Sequence, residues 1–407
     1  MTQFRTIADI RRLYASGISP AEYCAGVLEE TEGRCGALHI AGFLNRELPG
    51  AYDPARPLSG IPIAVKDNTA VKGLPVTAGS LCIDDGPALR DAPAVARLRE
   101  AGAHLVMKAN LSELSGFVSF ELPPGFSERF GQTVNPTFPG SSPGGSSSGS
   151  AAAVAAGLVP AAIGTETRGS MLMPAMRQQV CALKPSFGLI PTEGVAPISH
   201  RFDTVGVFGA GTDDVRCVTE VLTGRRFSRD ERPVRIGIPD GPGSAALTAL
   251  VREKGFEAVP VTLPRGEGGY RMLCAADIRA DMTAWLGEWR EKGPRTFGEL
   301  VEAYRRSGHP YGFGRLADAE ALALTADSPE VRLAEEQNRE LRTALRGAFE
   351  RSGADAVLDS AFSDVWALCG APAGTVRTAA GMLIAGTLPG GDGMLLNLMA
   401  ELEAATA

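Results

Sequence analysis

The residues best placed to do chemistry are the serines of a Gly/Ser-rich stretch and a lysine that ends an apolar run. Residues 139–150 read PGSSPGGSSSGS and lead straight into Ala151-Ala152-Ala153-Val154-Ala155-Ala156-Gly157, a good helix. Such a stretch is either a flexible linker or a loop that sets hydroxyls and backbone N–H groups at the positive end of a helix. Linkers seldom feed directly into a small-residue helix, which favours the second reading. Gly140-Ser141-Ser142-Pro143-Gly144 and Gly145-Ser146-Ser147-Ser148-Gly149 both match the G-x-S-x-G nucleophile elbow. That elbow needs a strand before it and a histidine after it. Here Pro136 and Pro139 precede it, and His200 and His309 are the only later histidines. A phosphate loop is excluded too, because Ser150 follows Gly149 where a lysine would be required. A serine site without histidine needs another base, and lysine serves if burial or nearby dipoles keep it neutral. Lys66 follows Ile61-Pro62-Ile63-Ala64-Val65 and precedes Asp67-Asn68. A lysine at a strand end also commonly snorkels to solvent, so the local sequence leaves both roles open.

The elements that must position these residues alternate between strand and helix. Residues 6–31 predict two short helices, with Ser19-Pro20 as N-cap and first helical residue of the second. The run at 61–65 reads as a buried strand, 92–103 as a helix and Leu105-Val106-Met107 as the next strand, an α/β order. Val234 to Pro239 and Ala258 to Val261 predict further strands, residues 275–350 are charged and helix-forming, and Gly393 to Ala404 closes the chain as a helix.

Bulk composition removes several function classes. With 407 residues, 44% hydrophobic and 21% charged, the chain has ample material for a large core. A formal charge of −7 with no basic run argues against nucleic-acid binding. The seven cysteines lie at irregular spacing without a C-x-x-C pair, which predicts neither a disulfide framework nor a zinc site and suggests a reducing, cytoplasmic setting. The four histidines are not at ligand spacing, so no metal is expected. The opening Met1-Thr2-Gln3-Phe4-Arg5 has no signal-peptide core, and no run is long and apolar enough to predict a membrane span.

The wider pattern resembles one family. Gly60-Ile61-Pro62-Ile63-Ala64-Val65-Lys66-Asp67-Asn68, followed by Gly73-Leu74-Pro75-Val76-Thr77-Ala78-Gly79-Ser80, is similar to the lysine segment of the amidase signature family. Lys108-Ala109-Asn110-Leu111-Ser112-Glu113 looks like its K-T-N-x-x-E segment, and residues 143–152 resemble its Gly/Ser signature. Gly164-Thr165-Glu166-Thr167-Arg168-Gly169-Ser170-Met171-Leu172-Met173-Pro174 stands where the family has G-T-D-T-G-G-S-I-R-x-P. Leu183 to Gly188 and Phe202 to Gly206 continue the match, and the 24 positions from Ser146 to Ser170 equal the family's interval between its two catalytic serines.

The resemblance implies a single α/β/α domain over residues 1–407 around a large mixed sheet, with 60–215 as signature core and about 232–360 as a divergent helical cover of the substrate entrance. It implies Ser170 as nucleophile, Ser146 on a cis peptide as the bridging serine and Lys66 as base, with no cofactor. The backbone of Thr167, Arg168 and Gly169 would form the oxyanion hole, and Leu114, Ser115, Gly116 and Arg168 would contact substrate. The expected partner is a small-molecule amide, hydrolysed or used for acyl transfer, with a non-catalytic family member and a homodimer also left open. Phe117, Val118, Phe120, Phe126 and Phe130 line the entrance or belong to the core. The departures sit in the oxyanion loop: Arg168 for glycine, Glu166 for aspartate, Leu172 for arginine. Arg168 could recognise an anionic substrate, distort a loop that needs glycine, or pair with Glu166 in place of an arginine at 172.

Overall fold

The computed structural model describes residues 5–403. The chain's opening at 1–4 and Ala404, the expected end of the last helix, lie outside them. Thirteen strands are formed among the described residues: β1 Ala41–Leu44, β2 Pro62–Lys66, β3 His104–Ala109, β4 Phe126–Ser127, β5 Gly131–Gln132, β6 Ala161–Glu166, β7 Cys181–Lys184, β8 Thr204–Gly209, β9 Arg235–Pro239, β10 Glu257–Val261, β11 Ala356–Asp359, β12 Ala373–Thr378 and β13 Gly381–Gly386. Eleven of them make one mixed sheet in the order β1-β3-β2-β6-β8-β7-β12-β13-β11-β9-β10, while β4 and β5 pair as a small hairpin. The helices are α1 Ile7–Ala15, α2 Pro20–Leu38, α3 Pro93–Glu100, α4 Ser148–Ala155, α5 Leu172–Gln178, α6 Thr212–Thr223, α7 Ser244–Glu253, α8 Tyr270–Glu288, α9 Phe297–Ser307, α10 Gly314–Leu322, α11 Pro329–Ser352, α12 Val365–Leu368 and α13 Asp392–Leu402.

The central strands β2, β3, β6 and β8 are buried along their whole length. They therefore read as continuous apolar runs, as strands covered on both faces do. Alternation still divides their side chains: Ile63 and Val65 enter the larger core, and Ala64 enters the smaller one against α2 and α4. β2 runs parallel to both β3 and β6, in a register that opposes Val65 to Ile163 and Lys66 to Ala109. The ends of three adjacent strands thus converge where Lys66 stands.

α4 is built from SGSAAAVA and is buried throughout. Small residues let it sit deep against the sheet. A Cβ at Gly149 would lie 2.5 Å from the carbonyl oxygens of both Asn110 and Ile40, so only glycine fits. The expected boundary at 232–360 mixes two layers, because β9, β10 and β11 in that range extend the sheet while α8 to α11 pack on one another, with α11 reaching β10. The second N-terminal helix is capped as expected, Ser19 accepting from Glu22 N–H with Pro20 in the first turn, but it runs on to Leu38.

Candidate active site

Lys66 is fully buried. Its Nζ donates to Ser146 Oγ at 2.7 Å and to Thr165 Oγ1 at 2.9 Å, with Thr165 O at 3.5 Å. Burial pulls its pKa down to about 7, against the opposing fields of Asp203 and Glu166. Near neutral pH a large share of Lys66 is therefore an uncharged amine able to take a proton. The local sequence left snorkelling open; the structure places the amine inside, on a serine hydroxyl.

The lysine is held by its neighbours. Asp67 and Lys108 form a fully buried ion pair at 3.1 Å. Lys108 also donates to Pro75 O at 2.8 Å, and Asp67 Oδ2 accepts from Thr77 N–H, Thr77 Oγ1 and Gly79 N–H. Every polar end of the pair is thus engaged, the condition under which buried charges persist.

The Gly/Ser loop is no flexible linker. Asn135 ties it to Arg177 O, and Gln178 Nε2 donates to Pro143 O and Ser148 O. The Gly145–Ser146 peptide is cis. Ser112 N–H donates to Ser146 O at 3.0 Å, and Ser147 N–H donates to Ser170 O at 3.2 Å. Ser147 Oγ further donates to Thr165 O and accepts from Thr165 N–H. Lys66 therefore meets Ser146, and the backbone of Ser170 is fastened to the same serine segment through Ser147. Ser146 is buried, whereas Ser170 keeps partial access to solvent.

Ser170 lies in the turn between β6 and α5. Beneath it, Glu166 Oε2 accepts from Met171 N–H at 2.7 Å and Leu172 N–H at 3.1 Å. Burial pushes the Glu166 pKa up, opposed by the Lys184 charge and by the N–H groups of Met171, Leu172 and Gly169. Thr167 Oγ1 donates to the buried Asp203 at 2.6 Å, which anchors the loop from the other side. Among the described residues, the Thr167 and Arg168 N–H groups have no protein acceptor.

Arg168 does not pair with Glu166, which removes the compensating contact from the three readings of this arginine. Glu166 points under the loop, whereas Arg168 points out toward the cover. Its Nε donates to Asp364 at 2.8 Å, Nη2 meets the same carboxylate at 2.5 Å, and Nη1 lies 3.4 Å from Glu267. Its guanidinium carbon also stands 5.1 Å from the Tyr270 ring centroid. Nor does arginine force the backbone here: the left-handed conformation falls at Gly169 (φ +83°), which the sequence retains and where Phe362 packs close. Leu172, in the place of the expected arginine, is plain core.

Leu114, Ser115 and Gly116 have φ of 45°, 55° and 83°, three successive left-handed residues. Leu114 turns its side chain into the core, while Ser115 Oγ accepts from Asn68 Nδ2 at 3.2 Å. Asn68 in turn donates to Thr165 Oγ1 at 2.9 Å, one step from Lys66. Of the aromatic and apolar residues expected at the entrance, Phe117 and Val118 are core, Phe126 stacks on Tyr311, Phe130 stacks on Phe43, and Phe120 is 56% exposed. Sequence reasoning missed Thr165, Asn68, Ser147 and Asp203 as site-shaping groups, although each lies within a quoted motif.

A second buried cluster joins cover to core. Glu113 accepts from Tyr304 Oη and Glu128 N–H, His309 Nε2 lies 3.4 Å away, and Tyr304 Oη meets Ser80 Oγ at 2.5 Å. Ligand atoms of Glu113, Glu128 and His309 lie within 4.8 Å of one another, a proximity that sequence spacing did not reveal. Both Glu113 oxygens already have protein donors, so the group works as a hydrogen-bonded clasp.

The family model for amidases matches residues 35–383. The chain belongs to the amidase family. It is 32% identical over 361 residues to a glutamyl-tRNA(Gln) amidotransferase subunit of Pelodictyon phaeoclathratiforme, covering 77% of this chain and 74% of that one. It is 37% identical over 228 residues to indoleacetamide hydrolase of Pseudomonas syringae pv. syringae, covering 52% of this chain and 50% of that protein. The native peptide amidase of Stenotrophomonas maltophilia superposes with a TM-score of 0.87 at 27% identity, covering 97% and 96% of the two chains. The amidase fold thus accounts for the eleven-stranded sheet and its flanking helices. Among the described residues of this amidase, no helix is long and apolar enough to cross a membrane.

Proposed function

We propose that this amidase hydrolyses the C–N bond of a small-molecule amide through an acyl-enzyme on Ser170. The observation that carries the reading is the buried Lys66 amine bonded to Ser146 Oγ at 2.7 Å, with its pKa drawn down to about 7. In this reading Ser170 Oγ attacks the amide carbonyl while its proton passes to Ser146, whose own proton passes to neutral Lys66. The oxyanion that develops is received by the loop amides of Thr167, Arg168 and Gly169, the first two of which have no acceptor among the described residues to release. Collapse of the tetrahedral species expels the amine, protonated by the reverse path, and water then releases the acid from Ser170.

Similarity to a component of an amidotransferase supports a second reading, in which an amine rather than water takes the acyl group. Both share the acyl-enzyme, so one experiment separates them. Turnover of an amide panel is followed with and without added hydroxylamine or ammonia, with intact-mass detection of the adduct. Acid as sole product supports hydrolysis, and amide exchange outrunning acid release supports transfer. An acyl adduct that persists in Ser170→Ala would overturn the nucleophile assignment.

A further inference from the structure

Beside the Ser115–Gly116 segment stands a half-buried positive charge, Arg315, that has no carboxylate partner among the described residues. Arg315 stands in the first turn of α10, the end at which a helix disfavours cations. Among the described residues it has no ion pair, whereas Arg168 is met by Asp364 and Glu267 and Arg271 by Glu267. Arg315 Nη1 donates to Gly116 O at 3.1 Å, its Nε is buried without an acceptor, and the guanidinium lies 4.9 Å from the Phe120 ring centroid. Burial lowers its pKa. Tyr270 and Cys274 lie within range of its charge, and Arg271 and Arg168 add like charge. Tyr270 and Cys274 are themselves held well above their ordinary pKa values, so at neutral pH neither supplies a negative partner.

Such a charge is costly to leave half-buried, and local conflicts of this kind are expected where a protein binds something. The place is informative. Gly116 ends the left-handed run whose Ser115 connects through Asn68 and Thr165 to Lys66. Arg168, two residues before Ser170, is close enough to share the field of Arg315. The segment bearing Phe120 is strapped to the start of α10 by Arg315 N–H to Val118 O at 3.2 Å and Ser119 Oγ to Tyr311 O at 2.6 Å, which fixes the guanidinium beside Gly116.

We propose that Arg315 is a specificity-determining residue that receives a carboxylate on the substrate, so that the preferred class is an amide bearing a free carboxylate; this rests on amide hydrolysis at Ser170. Arginine suits the task because its fixed fork matches a planar carboxylate, and Nη2 has no protein acceptor among the described residues. Arg168, already engaged, would first have to release Asp364.

The test uses matched pairs: half-amides of glutaric and adipic acid against their methyl esters for a carboxylate on the acyl side, and N-acylglycines against N-acylglycine methyl esters for the amine side. The expected result is a preference in kcat/KM of about tenfold or more for the acid in one series, the size of a charged hydrogen bond. The acid-to-ester ratio should fall toward one in Arg315→Gln and be partly kept in Arg315→Lys, with thermal melting verifying the fold. No preference in the wild type, or an undiminished one in Arg315→Gln, overturns the proposal. Calorimetric binding of the same pairs to Ser170→Ala separates it from the hydrolysis reading. Equal binding of acid and ester refutes the carboxylate site whether or not amides turn over. Arg315-dependent binding without wild-type turnover supports the site and refutes hydrolysis.

Discussion

The signature core and the helical cover handle charge in opposite ways. In the core, Lys66, Asp67, Lys108 and Glu166 are buried to the last few per cent and held by fixed hydrogen bonds. In the cover, ion pairs such as Arg305–Glu302 and Arg339–Glu336 sit at the surface, where each is worth little. In the core, burial draws the Lys66 pKa down and pushes that of Glu166 up, while surface pairs of the cover can exchange partners cheaply. On the proposed reading, the difference separates the part that makes chemistry feasible from the part that would choose a substrate.

The largest effects should come from the core. Ser170→Ala and Lys66→Met should each lower kcat by a factor on the order of 10⁴ or more, read by steady-state kinetics, because a triad acts as a unit. A loss below tenfold for Lys66→Met would mean that another group is the base. The pH profile bears on the same point. Only neutral Lys66 accepts a proton, so kcat/KM should rise with pH through about 7 and level off above it. Because the folded pKa lies below the free value of 10.5, the unfolded chain binds the extra proton between about 7 and 10.5. The stability cost of burying Lys66 is therefore full below 7 and relieved as pH rises through that window. Unfolding titrations of Lys66→Met should lack this rise; an identical slope would sink the assignment.

Next in size, Lys108→Met should cost about 3–5 kcal/mol in denaturant unfolding, since it strands Asp67 in the interior. Tyr304→Phe should cost about 1–3 kcal/mol by removing a donor from buried Glu113. If that variant matches the wild type, the clasp between cover and core is ornamental. Smallest is Arg168→Gly, whose partly exposed pairs are worth up to about 1 kcal/mol. It should lower turnover of charged and neutral amides alike by a few fold. A loss confined to charged amides would return anion recognition to Arg168.

The core was legible because its chemistry is local in sequence. The strand at 61–65, the serine loop running into α4 and the spacing from Ser146 to Ser170 are all short-range patterns, and the structure brings Lys66 and the two serine segments together. What stayed hidden depends on which distant segment arrives. Arg168 finds Asp364 and Glu267 about 200 and 100 positions away, so no local rule could name them in place of Glu166. Arg315 looks like any helix-surface arginine until Gly116 and Phe120 are folded against it. Helix ends slipped for a related reason: α2 continues to Leu38 because its face packs on β1 and β3, a tertiary gain that propensity does not record.

The fit at Gly149 has a practical consequence for anyone altering this amidase. With two carbonyl oxygens 2.5 Å from where a methyl group would go, that part of α4 has no spare volume in which to absorb a change. Random libraries spread over the whole gene would waste many members there. Diversity concentrated on 311–315, away from the Glu267, Phe362 and Asp364 contacts of the Ser170 loop, would test substrate range while leaving that loop and α4 as they stand.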